Sequence, residues 1–354
     1  MAQAHVPGPV HRQFHMVARA LIFASLPAAL GLQARDADDK QVTEYTFVPD
    51  PVPETFEQVR GALADSRARD SHGSRLVPVQ EHGLLGGRNV TIMGYPPEED
   101  EEISGALQNT GGAWETFHMA HLCDPWQEEG ARGNFLDVGA NVGTYTLPMA
   151  DCIRGRGSVI SVEGMPSIAH HLRAGIVKNE AENVVLYNYA VGGKTHANSV
   201  TMQLDDLNKG GSSVMGNKPG ESGVEQVSVP LTNLDAMLKH DPRMRALLSA
   251  KVDIEGNEGR MLRGATELFT NYPPCYLMIE LIAPWLDSAG TPIEEIIPLM
   301  RRNFSYKSVP GPVFLRHSRW RSKTIHVYQK DLEGCKQRVA AEYAKIAQAA
   351  ARAP

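Results

Sequence analysis

Three carboxylates fall within six residues of the stretch Lys251-Val-Asp-Ile-Glu-Gly-Asn-Glu258. Acids this close repel one another on an open surface. In a cleft they are candidates for shifted pKa values and for holding or deprotonating a ligand group. If the segment is extended, Asp253 and Glu255 point to the same side, and Gly256 permits a turn into a helix. Glu258 then falls in the first helical turn, where complementing the helix dipole accounts for it at least as well. Asp253 and Glu255 are therefore the candidate catalytic residues, as a general base or as the group that orients a bound ligand. The same hard oxygens suit Mg²⁺, so metal assistance is the runner-up route, with no metal ligand assigned.

A second chemical stretch lies upstream, Asn134-Phe-Leu-Asp-Val-Gly-Ala-Asn-Val-Gly143. It reads as a short apolar strand, a glycine-rich turn and a helix beginning near Thr144. The first amides of such a helix have no intrahelical partner and suit a polar or anionic ligand. Dinucleotide enzymes space their glycines Gly-x-Gly-x-x-Gly, but here Asp137 precedes Gly139 by two residues and the next glycine is Gly143. Asp-x-Gly-x-x-x-Gly resembles motif I of the S-adenosylmethionine (SAM) dependent methyltransferases. Asp137, Gly139, Ala140, Asn141 and Gly143 are thus candidate cofactor residues. Glu163 ends the next strand, 20 residues past Gly143, where an acid can accept both ribose hydroxyls. Alone it would pass for a helix-capping carboxylate; the four-residue spacing Asp137, Gly139, Gly143, Glu163 is what makes it specific.

These residues need strand ends to hold them. Strands are expected at Phe135–Val138, Val159–Val162, Val184–Tyr187, Lys251–Ile254, Tyr276–Leu281, Tyr306–Val309 and Ile325–Tyr328. Val200–Leu204 and Val227–Leu231 are further short strands around a glycine-rich loop. Helices alternate with them: one capped by Ser167, one from Glu258 to about Phe269, and one capped by Thr291 and distorted by Pro298. This alternation implies an α/β fold with a mostly parallel sheet. Ligands of such sheets sit beyond the carboxyl ends of the strands, where Asp137, Glu163 and Asp253 all fall.

The chain resembles the FkbM-type methyltransferases. The resemblance is carried by Phe-Leu-Asp-Val-Gly-Ala-Asn-Val-Gly143, Val-Ile-Ser-Val-Glu163, Val-Pro-Leu-Thr-Asn-Leu-Asp235, Lys-Val-Asp-Ile-Glu-Gly-Asn-Glu258 with Leu262-Arg-Gly-Ala265, and Met-Ile-Glu280. It implies a Rossmann-like class I fold, a mostly parallel seven-stranded sheet with an antiparallel strand at the C-terminal end. It also implies SAM as cofactor and transfer to a hydroxyl of a sugar, glycan or other small molecule. A non-catalytic SAM-fold binding module is the alternative. Where the family commonly has Glu-Pro, this chain has Glu163-Gly164.

The bulk properties fit a globular enzyme: 354 residues, 42% hydrophobic, 21% charged. A net charge of −6 argues against nucleic acid as partner, because counterion release needs an excess of Lys and Arg. Residues 1–35 carry arginines, no acids and the apolar run Ala20–Leu32, which is too short for a membrane span and looks like a targeting segment: a signal peptide, signal-anchor or transit peptide. A secretory location follows as the expectation, with an organelle or the cytoplasm as the alternative, and membrane association only through that segment. Residues 36–97 read as a polar, loosely ordered lead-in with one short helix near Glu54–Leu63, 98–330 as the methyltransferase domain, and 331–354 as an Ala-rich C-terminal helix. Cys123, Cys152, Cys275 and Cys335 form no Cys-x-x-Cys pair; buried free thiols are the plainer reading, with three disulfide connectivities open. His118-Met-Ala-His121 has the spacing of one helix face but lacks further ligands for zinc. Arg316-His-Ser-Arg-Trp-Arg-Ser-Lys323 reads as a solvated hairpin loop.

Overall fold

Short aliphatic runs bounded by turn residues become fully buried strands when helices cover both faces of a sheet. The computed structural model describes residues 50–65, 75–83, 88–109, 115–195, 197–204, 208–214, 225–317 and 324–352. The targeting segment and most of the basic and glycine-rich loops lie outside them. A hairpin, β1 (Val77–Gly83) with β2 (Asn89–Gly94), comes first. Next are β3 (Asn134–Val138), β4 (Val159–Val162) and β5 (Val184–Tyr187). Four short strands then pair among themselves: β6 (Ala190–Val191), β7 (Ser199–Leu204), β8 (Ser213–Val214) and β9 (Glu225–Thr232). The chain returns through β10 (Leu247–Val252), β11 (Tyr276–Glu280), β12 (Tyr306–Lys307) and β13 (Thr324–Gln329).

The central sheet has seven strands in the order β12-β13-β11-β10-β3-β4-β5. Pairing is parallel from β11 to β5, and β13 runs antiparallel to both of its neighbours. Helices Thr116–Cys123, Thr146–Cys152 and Pro166–Lys178 pack Met119, Leu122, Leu147 and Leu172 against Phe135, Val159 and Met278 on one face. Helices Leu234–His240, Glu258–Gly264, Thr266–Asn271 and Ile293–Pro298 pack Met237, Met261, Leu268 and Ile296 against Leu136, Val138, Ala250 and Ile279 on the other. Among the described residues no helix is long and apolar enough to cross a membrane.

The structure corrects several expectations. Ser167 does not cap its helix: the helix opens on Pro166, whose fixed φ and missing N–H suit a first turn, and Ser167 is buried. Thr291 donates back to the Leu286 carbonyl, and Pro292 precedes the helix instead. The helix expected from Glu258 to Phe269 breaks at Ala265. The described part of the lead-in is more ordered than its polarity suggests. Glu54 exchanges both backbone hydrogen bonds with Leu186 at the edge of β5 and grips Arg173, while Val59, Ile92 and Tyr95 join the core. The cysteines are not free thiols. Cys123–Cys152 ties two helices together and Cys275–Cys335 ties the start of β11 to the terminal helix Leu332–Arg352. Sequence distance hid this, because folding brings Cα atoms 29 and 60 residues apart to 6.3 and 5.7 Å.

Candidate active site

Asp137 and Asp253 come together through Lys251, a residue to which its place in the sequence assigns no role. β3, β10 and β11 run in register, so Asp137, Lys251 and Met278 lie side by side on one face, flanked by Ser161 on β4 and His326 on β13. The Lys251 ammonium is buried. It donates to the Gly139 carbonyl at 2.7 Å and stands 3.5 Å from Asp253 Oδ2 and 3.8 Å from Asp137 Oδ1. Burial pulls its pKa down, but the carboxylates of Asp253, Asp137, Glu115 and Glu280 outweigh that and hold it above the ordinary lysine value. A lysine beside a strand-end acid was the available signal. Side-chain alternation alone does not say which neighbouring strand carries the partner.

Asp137 is fully buried, and burial pushes its carboxyl above the usual range against the pull of Lys251. Its Oδ2 accepts from Thr146 Oγ1 at 2.6 Å, and that hydroxyl also meets Ser161 Oγ at 2.7 Å. Asp137 thus fixes the start of the helix through Oδ2. Tyr145 covers Lys251, with its ring centroid 5.4 Å from the ammonium, and donates its hydroxyl to Glu115 at 2.5 Å.

The glycine turn that leads into the helix closes its own amides. The N–H groups of Gly139 and Ala140 both go to the Val162 carbonyl, Asn141 N–H to Glu163, Val142 N–H to the Asn141 side chain and Gly143 N–H to Ala140. A turn packed between strands closes its own hydrogen bonds. What it offers is shape and side chains. Asn141 has φ +52, and its Nδ2 bonds to no described residue. Gly139 has φ +83, and a Cβ there would lie 1.8 Å from the Asp253 carbonyl oxygen. The glycine therefore serves the close approach of the β10 exit. Glu163 accepts Asn141 N–H at 2.9 Å and Met165 N–H at 2.8 Å, one on each oxygen. Burial raises its pKa while those two bonds oppose the shift. A carboxylate has about four lone-pair sites, so each oxygen keeps one for a further donor. Gly164 lets the chain leave β4 against the small strands, since a Cβ there would meet Met202 Sδ at 2.7 Å.

The acidic stretch is extended only as far as Asp253. β10 ends at Val252, Glu255 has φ +55 and Gly256 φ +92, and Asn257 N–H closes on the Ile254 carbonyl, so residues 254–257 form a turn. Asp253 and Glu255 therefore do not share a side by strand alternation. Asp253 is about a third exposed and held by Lys251. Glu258 is buried and accepts the N–H groups of Ile254 and Gly256 at 2.9 and 3.3 Å, clamping that turn. Burial, against those bonds, pushes its pKa up to about 8. Among the described residues no group of three His, Cys, Asp or Glu is placed to hold a metal ion. The basic run contributes structure: Arg316 binds Asp287 and Glu294, and residues 318–323 lie outside the described set.

This strand order, with an acid and glycine turn after the first strand, an acid after the second and carboxylates after the fourth, defines a class I SAM-dependent methyltransferase fold. Residues 137–307 match the methyltransferase FkbM domain. Among solved structures the chain is similar to M. jannaschii TYW2 in complex with AdoMet, at 12% identity and TM-score 0.30 over 73% of this chain and 89% of that one. It is also similar to N,N-8-amino-8-demethyl-D-riboflavin dimethyltransferase (RosA) from Streptomyces davawensis, at 9% identity and TM-score 0.28 over 64% of this chain and 58% of that one. No curated protein matches the chain.

Proposed function

We propose that this methyltransferase carries the methyl group of SAM to a hydroxyl oxygen of a sugar, glycan or other small molecule. The observation that carries the reading is the Lys251 clamp, which joins the Gly139 carbonyl and the Asp253 carboxylate into one unit. A cofactor turn and an acceptor-side acid held this way keep donor and acceptor in fixed relation, and positioning supplies much of the rate of a single displacement.

SAM, when bound, supplies an electrophilic methyl on a sulfonium. Glu163 fits its ribose, because both oxygens keep a lone pair beyond the two amides they already bind. Asn141, beside Ala140, offers Nδ2 to the cofactor's polar end, while Asp137, Gly139 and Gly143 set the turn. Asp253 and Glu255 orient the acceptor hydroxyl. Trp285, half-buried on the helix Ala283–Ser288 that follows Glu280, suits the acceptor wall.

Asp253→Asn and Glu255→Gln, assayed with labelled SAM and a panel of sugar and lipid hydroxyl acceptors, test the roles. Asp253→Asn is expected to lower turnover about 10²-fold, with SAM affinity kept in a binding titration. Unchanged turnover in both variants sinks the assignment. SAM binding without transfer to any acceptor favours the non-catalytic module, and loss of activity with a chelator favours a metal-assisted route.

The two disulfides support a secretory location for the chain, since such bonds persist in oxidising compartments. Asn89-Val-Thr and Asn303-Phe-Ser expose both asparagines, as glycan acceptors must. A mature chain that retains residues 1–35, with reduced cysteines and no glycan, would overturn this.

A further inference from the structure

Three imidazoles gather on the face of the sheet that carries Lys251, and the assignments above give them no work. His118 and His121 lie on the helix Thr116–Cys123, which follows Glu115 directly. His326 lies on β13 opposite Met278, in the same cross-strand row as Lys251. Two strand spacings separate Lys251 from His326, about 10 Å. His118 Nδ1 and His326 Nε2 are 2.7 Å apart with the rings stacked, and the His121 ring centroid is 5.4 Å from that of His326.

Such a contact forces asymmetry: one ring donates N–H and the other accepts, so both rings cannot carry two protons. Each ring keeps one outer nitrogen, Nε2 of His118 and Nδ1 of His326, and neither bonds to a described residue. In the neutral pair one outer nitrogen holds a proton and the other a lone pair. A proton taken at one end can then pass through the shared contact to the other.

We propose that the His118–His326 pair is the base that removes the acceptor's hydroxyl proton. This rests on the methyltransfer reading above and leaves Asp253, tied to the Lys251 ammonium, to orient the hydroxyl. The O–H proton moves to an imidazole nitrogen. An O–CH₃ bond forms as the S–CH₃ bond breaks, the bonding pair stays on sulfur, and the imidazolium later returns its proton to water. Burial, with His118 and His121 beside it, pulls His326 down to about 4, so its ring is neutral at pH 7. The other titratable groups on the elements around the pair are Glu115 and His121 on the helix side, Lys251 on β10, Tyr276 and Glu280 on β11, Tyr306 and Lys307 on β12, and Tyr328 on β13.

Two readouts test it. In the SAM-free protein, ¹⁵N titration of the histidine rings should show His118 and His326 protonating as a coupled pair, with His326 below the free-histidine value of 6.5. Independent titration of both rings at the free value overturns the pair. In turnover, His326→Gln and His118→Ala should lose about 10²–10⁴-fold in kcat and keep SAM affinity within about twofold; they should also lose the acid limb of the pH profile, with added imidazole partly rescuing His118→Ala. An unchanged limb and kcat in both, while the wild-type chain methylates a simple methyl pyranoside, overturns the base alone. A wild-type chain that methylates no hydroxyl at all overturns the methyltransfer reading and this proposal with it.

Discussion

The two faces of the central sheet are made by the same strands, are buried alike and differ in character. One presents Leu136, Val138, Ala250, Val252, Leu277 and Ile279 to apolar helices. The other places Ser161, Asp137, Lys251, Met278 and His326 in a row across five strands. Apolar burial stabilises at roughly 25 cal/mol per Å² whatever the neighbour, so the first face tolerates change of shape better than change of size. A buried ion pair must first overcome desolvation of several kcal/mol per charge, and an apolar pair in its place is often as stable. The first face holds the fold up. The second spends stability on placing Gly139 and Asp253.

That contrast can be broken at its tightest point. Gly139→Ala puts a methyl group 1.8 Å from the Asp253 carbonyl at φ +83, against backbone that no rotamer can move aside. The loss should exceed the ~1–3 kcal/mol of a strained φ alone, with SAM binding lost, read by urea unfolding and a binding titration. Wild-type stability in this variant would show that the β10 exit is loose. Next in size is Lys251→Met, which leaves Asp137 and Asp253 without their cation. We expect about 3–5 kcal/mol of destabilisation, partly recovered in a double variant with Asp137→Asn. The control on the dry face, Ile279→Val, should cost only about 0.5–1.5 kcal/mol and leave SAM affinity unchanged. Equal costs for Lys251→Met and Ile279→Val would erase the distinction between the faces.

The sequence shows the dry face and the strand order well, because aliphatic runs such as Val159–Val162 and Val184–Tyr187 need only length and composition to be recognised. It shows Asp137, Gly139, Glu163 and Asp253 as residues worth attention, since strand ends carry ligands in this fold class. It does not show what they touch. Gly139 reads as room for a cofactor, while the structure places Asp253 backbone there. Glu255 reads as a strand residue, while a left-handed φ turns it out of register. His326 and His118 are 208 residues apart and carry no shared motif. Contacts set by sheet register and by left-handed backbone are tertiary, and a periodic pattern encodes neither.

The smallest effect concerns the turn that presents Asp253. Glu258 clamps it through Oε1, and burial raises its pKa from 4.5 in the unfolded chain to about 8. A carboxyl with a raised folded pKa gives its full stabilisation below the unfolded value and loses it as pH climbs through the folded one. The wild-type chain should therefore lose about 1 kcal/mol between pH 7 and 8 from this group. Glu258→Gln keeps an acceptor for the Ile254 and Gly256 amides and cannot ionise, so its Tm should fall less over that interval. His326 works in the opposite sense: its depressed pKa means stability is lost as pH falls from 6.5 toward 4. If Glu258→Gln follows the wild-type curve above pH 7, the carboxyl is already ionised there. The turn beneath Asp253 would then carry one more negative charge, close to the carboxylates of Asp253 and Glu280.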